Sequence, residues 1–235
     1  MFARAPCELF STLRSMLETI EVETAPKPDA AIIWLHGLGA DGHDFEPIVP
    51  ELVARGERAW RFVFPNAPVR PVTWNNGMRM RAWYDISGIG GAAAEDVAGF
   101  RQADAQIREL ITREVSRSIP TTRIVLAGFS QGGAVSLYVA PRLEQKLAGV
   151  MALSTYLPCE STFLAQRAAA NDSTPILVAH GSADPVVPLA MGIKARDFLK
   201  THGYEVEWHD YPMPHSVCPA EVADISAFLY RTLPV

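Results

Sequence analysis

The stretch Ile124-Val125-Leu126-Ala127-Gly128-Phe129-Ser130-Gln131-Gly132-Gly133-Ala134 constrains the fold more than any other part of the chain. It is an apolar, β-prone run that breaks at a glycine-flanked serine and resumes as Ala134-Val135-Ser136-Leu137-Tyr138-Val139. A strand enters, a helix leaves, and almost no chain separates them. Ser130 must therefore take a strained backbone conformation, while Gly128 and Gly132 remove side chains that would collide where strand and helix approach. A hydroxyl on such a turn projects from the top of a sheet, the setting of a nucleophile elbow. The pattern GxSxG also occurs in ordinary turns, so its weight comes from the strand before it and the helix after it.

The flanking segments repeat the alternation of strand and helix. Residues 30–35, 147–153 and 176–179 are apolar at consecutive positions, the mark of parallel strands covered on both faces, and Trp60 to Phe64 is a further short strand closed by Pro65. Residues 20–23 alternate like a short edge strand, and 204–209 alternate with His209 on the polar face beside Glu205 and Glu207. Helical spacing predicts helices over 44–55 (Phe45, Ile48, Val49, Leu52, Val53), over 96–115 (Val97, Phe100, Ile107, Leu110, Ile111), and over 219–230 at the close. Residues 65–91 hold prolines, glycines, Trp74, Trp83 and Tyr84 without sustained periodicity. A loop of that length usually covers or lines a site, although Trp83 and Tyr84 read equally well as core anchors. The pattern predicts an α/β fold with a mainly parallel central sheet and helices on both faces, in one domain over 16–235, with 1–15 as an extension.

Composition narrows the partners. With 21 basic against 26 acidic residues the net charge is -5, and no basic run exists to hold nucleic acid or a membrane surface. Residues 124–141 form an uncharged stretch of spanning length, but Ser130, Gln131 and the glycines break it, so no stable membrane insertion is expected. Cys7, Cys159 and Cys218 are too scattered for a disulfide framework or a zinc site, and no secretory signal is evident. A reducing, cytoplasmic setting is expected, with no metal and no cofactor. Gly88, Gly90 and Ala93 imitate a dinucleotide fingerprint, but a poor strand precedes them and no ribose-binding acid follows.

A serine hydroxyl needs a base, and six histidines compete for that role. His36 and His180 each precede a glycine at the end of a buried strand, where structural hydrogen bonding is at least as good a reading. His43, His202 and His209 lie in polar contexts. His215 sits in the proline-held loop Tyr211-Pro212-Met213-Pro214-His215-Ser216, after the last strand and before the closing helix. The orienting acid should precede it in chain order, and Asp184 does so from a loop past a buried strand, with Pro185 fixing the backbone. Asp172 and Asp210 are weaker rivals, one in a polar helix end and one beside His209. The glycine-rich exit His36-Gly37-Leu38-Gly39 can turn backbone N–H groups toward developing negative charge, or can be a plain strand-to-helix loop.

The GFSQGGA elbow, His36 to Gly42, Trp83-Tyr84-Asp85-Ile86, His180 to Pro188 and Pro214-His215-Ser216-Val217 together resemble the phospholipase/carboxylesterase family, which includes bacterial carboxylesterases and acyl-protein thioesterases. The likeness runs from about residue 18 to 232, and five linked motifs are far more specific than GxSxG alone. It implies the α/β-hydrolase fold, with Ser130 as nucleophile, His215 as base and Asp184 as its acid. It further implies an oxyanion hole from the N–H groups of Leu38 and Gln131, and a substrate pocket with Leu38, Tyr156 and Val186, which Trp83 of the 65–91 loop is expected to join. Thr155-Tyr156 departs from the Gly or Cys followed by Tyr or Trp that is usual there, and residues 1–15 have no counterpart, with Met16 as an alternative start of translation. The activity implied is cofactor-free hydrolysis of carboxylic esters or thioesters through an acyl-enzyme, with thioesterase or lysophospholipase activity as alternatives. The partners are then small ester or acylated substrates, and a homodimer is among the assemblies the chain allows. The rivals are an acyltransferase on the same residues and a non-catalytic ligand-binding protein.

Overall fold

Each central strand is apolar at every position because its successive side chains serve two different cores. In the computed structural model, which describes residues 16–88 and 95–235, β2 (Ala30–Leu35) sends Ala31, Ile33 and Leu35 to one core and Ala30, Ile32 and Trp34 to the other. The strand β6 (Ile124–Phe129) divides in the same way, with Ile124 and Leu126 opposite Val125, Ala127 and Phe129. The first core is closed by Phe100, Ala103 and Ile107 of α2 (Val97–Ser116) and by Ala134 and Val135 of α3 (Gln131–Val139). The second is closed by Val49 and Leu52 of α1 (Val49–Leu52) and by Ile225, Phe228 and Leu229 of α6 (Pro219–Thr232). Helices therefore cover both faces, as expected of buried parallel strands.

The remaining strands are β1 (Thr19–Glu23), β3 (Trp60–Pro65), β4 (Val69–Val72), β5 (Met78–Arg81), β7 (Gly149–Leu153), β8 (Ile176–Gly181) and β9 (Val206–Tyr211). Among the described residues they form a seven-stranded sheet ordered β1-β3-β2-β6-β7-β8-β9 and a separate hairpin of β4 and β5. Only the edge pairing of β1 with β3 is antiparallel in the large sheet. The exits of β2, β6 and β8 consequently lie on one rim, where ligands of parallel sheets bind.

The elements differ from the sequence expectation in three places. Residues 44–55 make a short turn at Glu46–Ile48 and the single turn α1, because Pro47 and Pro50 each remove a backbone donor and stop the helix from propagating. The loop over 65–91 contains the β4–β5 hairpin, which Pro71 conceals in the sequence. After β7, where the sequence from Ser154 to Thr174 shows no regular pattern, stands the short helix α4 (Glu160–Gln166), and α5 (Leu189–Thr201) follows β8. The uncharged stretch 124–141 divides into β6 and α3, and among the described residues no helix is long and apolar enough to cross a membrane. The N-terminal extension and Cys7, as well as Gly90 and Ala93 of the dinucleotide-like pattern, lie outside the described residues. Cys159 and Cys218 are free thiols.

Candidate active site

Ser130 stands between β6 and α3 with φ 53° and ψ -116°, a conformation that L residues rarely adopt. The strain is held by contacts on every side. Its N–H donates to Leu153 O at 2.8 Å, and its carbonyl accepts from the Thr155 hydroxyl at 2.7 Å and from Ala134 N at 3.1 Å. The two flanking glycines sit at close approaches where any Cβ would force its neighbours to move. A Cβ on Gly128 would lie 2.2 Å from the Gly132 carbonyl carbon, and one on Gly132 would lie 2.3 Å from Leu35 O.

The other two polar groups arrive from separate loops. His215 Nδ1 donates to Asp184 Oδ2 at 2.6 Å, and Ser130 Oγ donates to His215 Nε2 at 2.9 Å. The carboxylate oxygen that His215 leaves free, Asp184 Oδ1, accepts from Val186 N at 2.8 Å and Val187 N at 2.9 Å, so the turn after Pro185 locks the acid in place. The Asp184 side chain is fully buried and the imidazole nearly so, packed against Phe129 with ring centroids 4.7 Å apart. Gly181 admits the His215 loop over the end of β8, since a Cβ there would lie 2.4 Å from Pro214 O. Asp172 and Asp210 take no part in this line of bonds. Asp172 lies near Arg167, and Asp210 accepts from the Trp208 indole.

The competing histidines have structural partners. His36 Nδ1 donates to Gly37 O at 2.7 Å, and its Nε2 accepts from Ala67 N at 3.1 Å, which ties the glycine-rich exit of β2 to the chain after β3. Burial lowers its pKa and keeps the ring neutral, as both hydrogen bonds require. His180 Nε2 donates to Val187 O at 2.8 Å beneath the Asp184 turn, and burial lowers its pKa as well. His43 pairs with Glu46, His202 with Phe198 O, and His209 with Glu207.

Leu38 and Gln131 follow the exits of β2 and β6, and Gly39 N donates to Arg81 O, so the β4–β5 hairpin holds the Leu38 loop down. Among the described residues neither the Leu38 nor the Gln131 backbone N–H has a hydrogen-bond acceptor. The Gln131 side chain is a strut that the sequence does not reveal. Its Oε1 accepts from Trp83 N, and its Nε2 donates to Tyr84 O, both at 2.8 Å.

A cleft of about 270 Å³ opens over Ser130, lined by Leu38, Trp74, Tyr84, Ile86, Tyr156 and Val186. Trp83, expected in this pocket, stands behind it. Its indole is fully buried and donates to His36 O at 2.9 Å, while the next residue, Tyr84, lines the cleft. Trp74 and Tyr84 are lining residues that the sequence shows only as loop aromatics. Among the described residues no group of three or more His, Cys, Asp or Glu side chains is placed to hold a metal.

The phospholipase/carboxylesterase family model matches residues 17–233. Acyl-protein thioesterase 1 of Mycosarcoma maydis is 39% identical over 237 residues, covering 94% of this chain and 99% of the relative. Acyl-protein thioesterase 1 of Neurospora crassa is 42% identical over 223 residues, covering 91% of each. Among solved structures, Zea mays acyl-protein thioesterase 2 superposes with a TM-score of 0.81 at 28% identity, covering 92% of this chain and 99% of that one. Arabidopsis thaliana SOBER1 superposes with a TM-score of 0.80 at 32% identity, covering 87% of this chain and 99% of that one. The sheet order, the covered faces and these likenesses agree on the α/β-hydrolase fold. The chain therefore belongs to the phospholipase/carboxylesterase family and is a serine hydrolase of the esterase and thioesterase class.

Proposed function

We propose that this chain hydrolyses carboxylic esters and acyl thioesters through an acyl-enzyme on Ser130, with His215 as the general base and Asp184 as its orienting acid. One observation carries the reading: the unbroken line from Ser130 Oγ to His215 Nε2 and from His215 Nδ1 to Asp184 Oδ2. In the first half-reaction His215 takes the hydroxyl proton as Ser130 attacks the carbonyl carbon, then gives it to the departing alcohol or thiol. Asp184 keeps the ring in the tautomer that leaves Nε2 free to accept. The N–H groups of Leu38 and Gln131 receive the oxyanion, each worth about 2.7–4 kcal/mol to the transition state by analogy with other oxyanion donors. Water, activated by the same imidazole, then releases the acid.

The cleft's apolar lining suits the acyl part of a substrate, and the likeness to the fungal acyl-protein thioesterases supports acylated proteins as its source. Replacement of Ser130 by alanine should lower turnover of an aryl ester by roughly six orders of magnitude, leaving a residue from binding and the oxyanion donors. A Ser130→Ala protein that hydrolyses the ester near the parent rate would overturn the proposal. Labelling by a fluorophosphonate separates it from a non-catalytic binding protein, and product analysis with an added alcohol separates hydrolysis from acyl transfer.

A further inference from the structure

The cleft over Ser130 shares a wall with a second, larger cavity. Tyr84, Ile86 and Tyr156 line both, while Ser130 borders only the first. The second cavity, about 520 Å³, runs on past Tyr156 to the apolar side chains of Leu157, Leu164, Met191 and Phe198. Its charged groups are already engaged: Lys194 pairs with Glu160 at 2.6 Å, and Asp96 caps α2 through Gly99 N.

Tyr84, Ile86 and Tyr156 stand between the two spaces, and the hydroxyls of the two tyrosines are hydrogen-bonded to each other at 2.8 Å. The Tyr84 hydroxyl is buried and the Tyr156 hydroxyl partly so, and each has the other as its partner, so a chain wedged between them would strip both. Tyr84 cannot yield. Its ring stacks on Phe100 with centroids 4.0 Å apart, Phe100 stacks on Tyr138 at 5.1 Å, and the Gln131 side chain grips the backbone at Trp83 and Tyr84. Tyr156 lacks such a stack among the described residues, is only partly buried, and hangs from the loop after β7. Tyr156 is thus the replaceable half of the wall.

We infer that the Tyr84–Tyr156 pair is the end stop of the acyl cleft, and that it makes this enzyme selective for short acyl chains by closing the cleft off from the open cavity beyond it, which has apolar length for longer ones. This rests on the reading of Ser130 as nucleophile. Selectivity arises by exclusion, since a chain that reaches the wall must either fold back into solvent or break the hydroxyl pair. A methylene that finds no room in an apolar pocket typically changes kcat/KM by about 10-fold or more.

The test is a series of nitrophenyl esters with a constant leaving group and straight acyl chains from acetate to palmitate. It is run on the parent, on Tyr156→Ala, and on the double variant Tyr84→Phe with Tyr156→Phe, which removes the hydroxyls but keeps both rings. Fluorophosphonate labelling counts competent sites in each. For the parent the ratio of kcat/KM for dodecanoate to that for butyrate should lie at or below about one-tenth. Tyr156→Ala should raise that ratio by about 10-fold or more, and the double variant should raise it by less. If Tyr156→Ala fails to label, the double variant decides. Variants that label normally and keep the parent's ratio would overturn the inference, as would a parent that cleaves dodecanoate as readily as butyrate. A parent that neither labels nor cleaves any ester overturns the nucleophile assignment and the end stop with it, a result distinct from an active enzyme with no chain-length break.

Discussion

Replacing Gly132 with alanine asks how the two loops proposed to supply the oxyanion donors are held at their working distance. Gly132 is the second residue of α3, and a Cβ there would lie 2.3 Å from Leu35 O and 2.7 Å from the Leu35 Cβ. Leu35 ends β2, directly before the loop that carries Leu38. Ordinary contact begins at 3.4 Å, so the oxygen and the new methyl must separate by a further 1.1 Å, the difference between those two distances. Leu35 belongs to a buried strand paired with β6 and cannot turn aside, so the start of α3 must back away. Gln131 N–H then moves relative to Leu38 N–H by a similar amount. A misplacement of about 1 Å can cost ~10²-fold in rate, and loss of one oxyanion donor costs about 10²–10³ in kcat.

The expected result for Gly132→Ala is therefore a fall in kcat of about 10²–10³ with little change in KM. Overpacking should cost about 1–3 kcal/mol, offset by the roughly 0.8–1 kcal/mol that alanine gains over glycine inside a helix, so the protein still folds. The assay is steady-state hydrolysis of an aryl acetate, with rates expressed per fluorophosphonate-titrated site, beside a thermal melt. A variant that keeps the parent's kcat and melting temperature would refute the reasoning, because it would show that the helix start absorbs a methyl without disturbing the donors.

Asp184→Asn should leave the fold intact, since an amide oxygen can still accept from Val186 N and Val187 N, but its NH₂ would face His215 Nδ1 and favour the wrong tautomer. Turnover should drop by about 10⁴, and retained turnover with an unchanged circular dichroism spectrum would contradict the acid's role. Glu221 is fully buried at the start of α6, and burial, only partly offset by the Cys218 backbone N–H and reinforced by Asp224, pushes its pKa up to about 8. The folded form holds its proton between the ordinary carboxylate range and that value, whereas the unfolded chain has released it, so stability falls as pH rises through the interval and levels off above it. Glu221→Gln should remove that decline and be the more stable protein at alkaline pH, by up to roughly 5 kcal/mol, in melts taken across the range; parallel curves for parent and variant would count against it.

The framework was legible because burial on both faces writes itself into the sequence as unbroken apolar runs, and the runs at 30–35, 124–129 and 176–179 are strands in the structure. The convergence of Ser130, Asp184 and His215 was legible from chain order and from where those runs end. Residues 44–55 misled because apolar spacing was counted while Pro47 and Pro50, which cannot donate, were not weighed. The alternation Met78-Arg79-Met80-Arg81 was a usable sign of β5, but two short strands in a proline-rich loop carry little pattern. Gln131 and Thr155 act through side-chain bonds to backbone remote in sequence, at Trp83, Tyr84 and Ser130, and no local periodicity records such contacts. Trp83 and Tyr84 are adjacent in the chain, so the choice between them turns on which way a single residue points, and only the fold decides that.

The central claim, that Ser130 carries the acyl group during turnover, is tested most directly by rapid quenching of the enzyme with a slowly deacylating ester, followed by peptide mass spectrometry. The account predicts an acyl adduct on Ser130 that forms and decays at rates consistent with turnover, and that is absent when His215 is replaced by alanine. An adduct on another residue, or steady turnover with no covalent intermediate on Ser130, would contradict it.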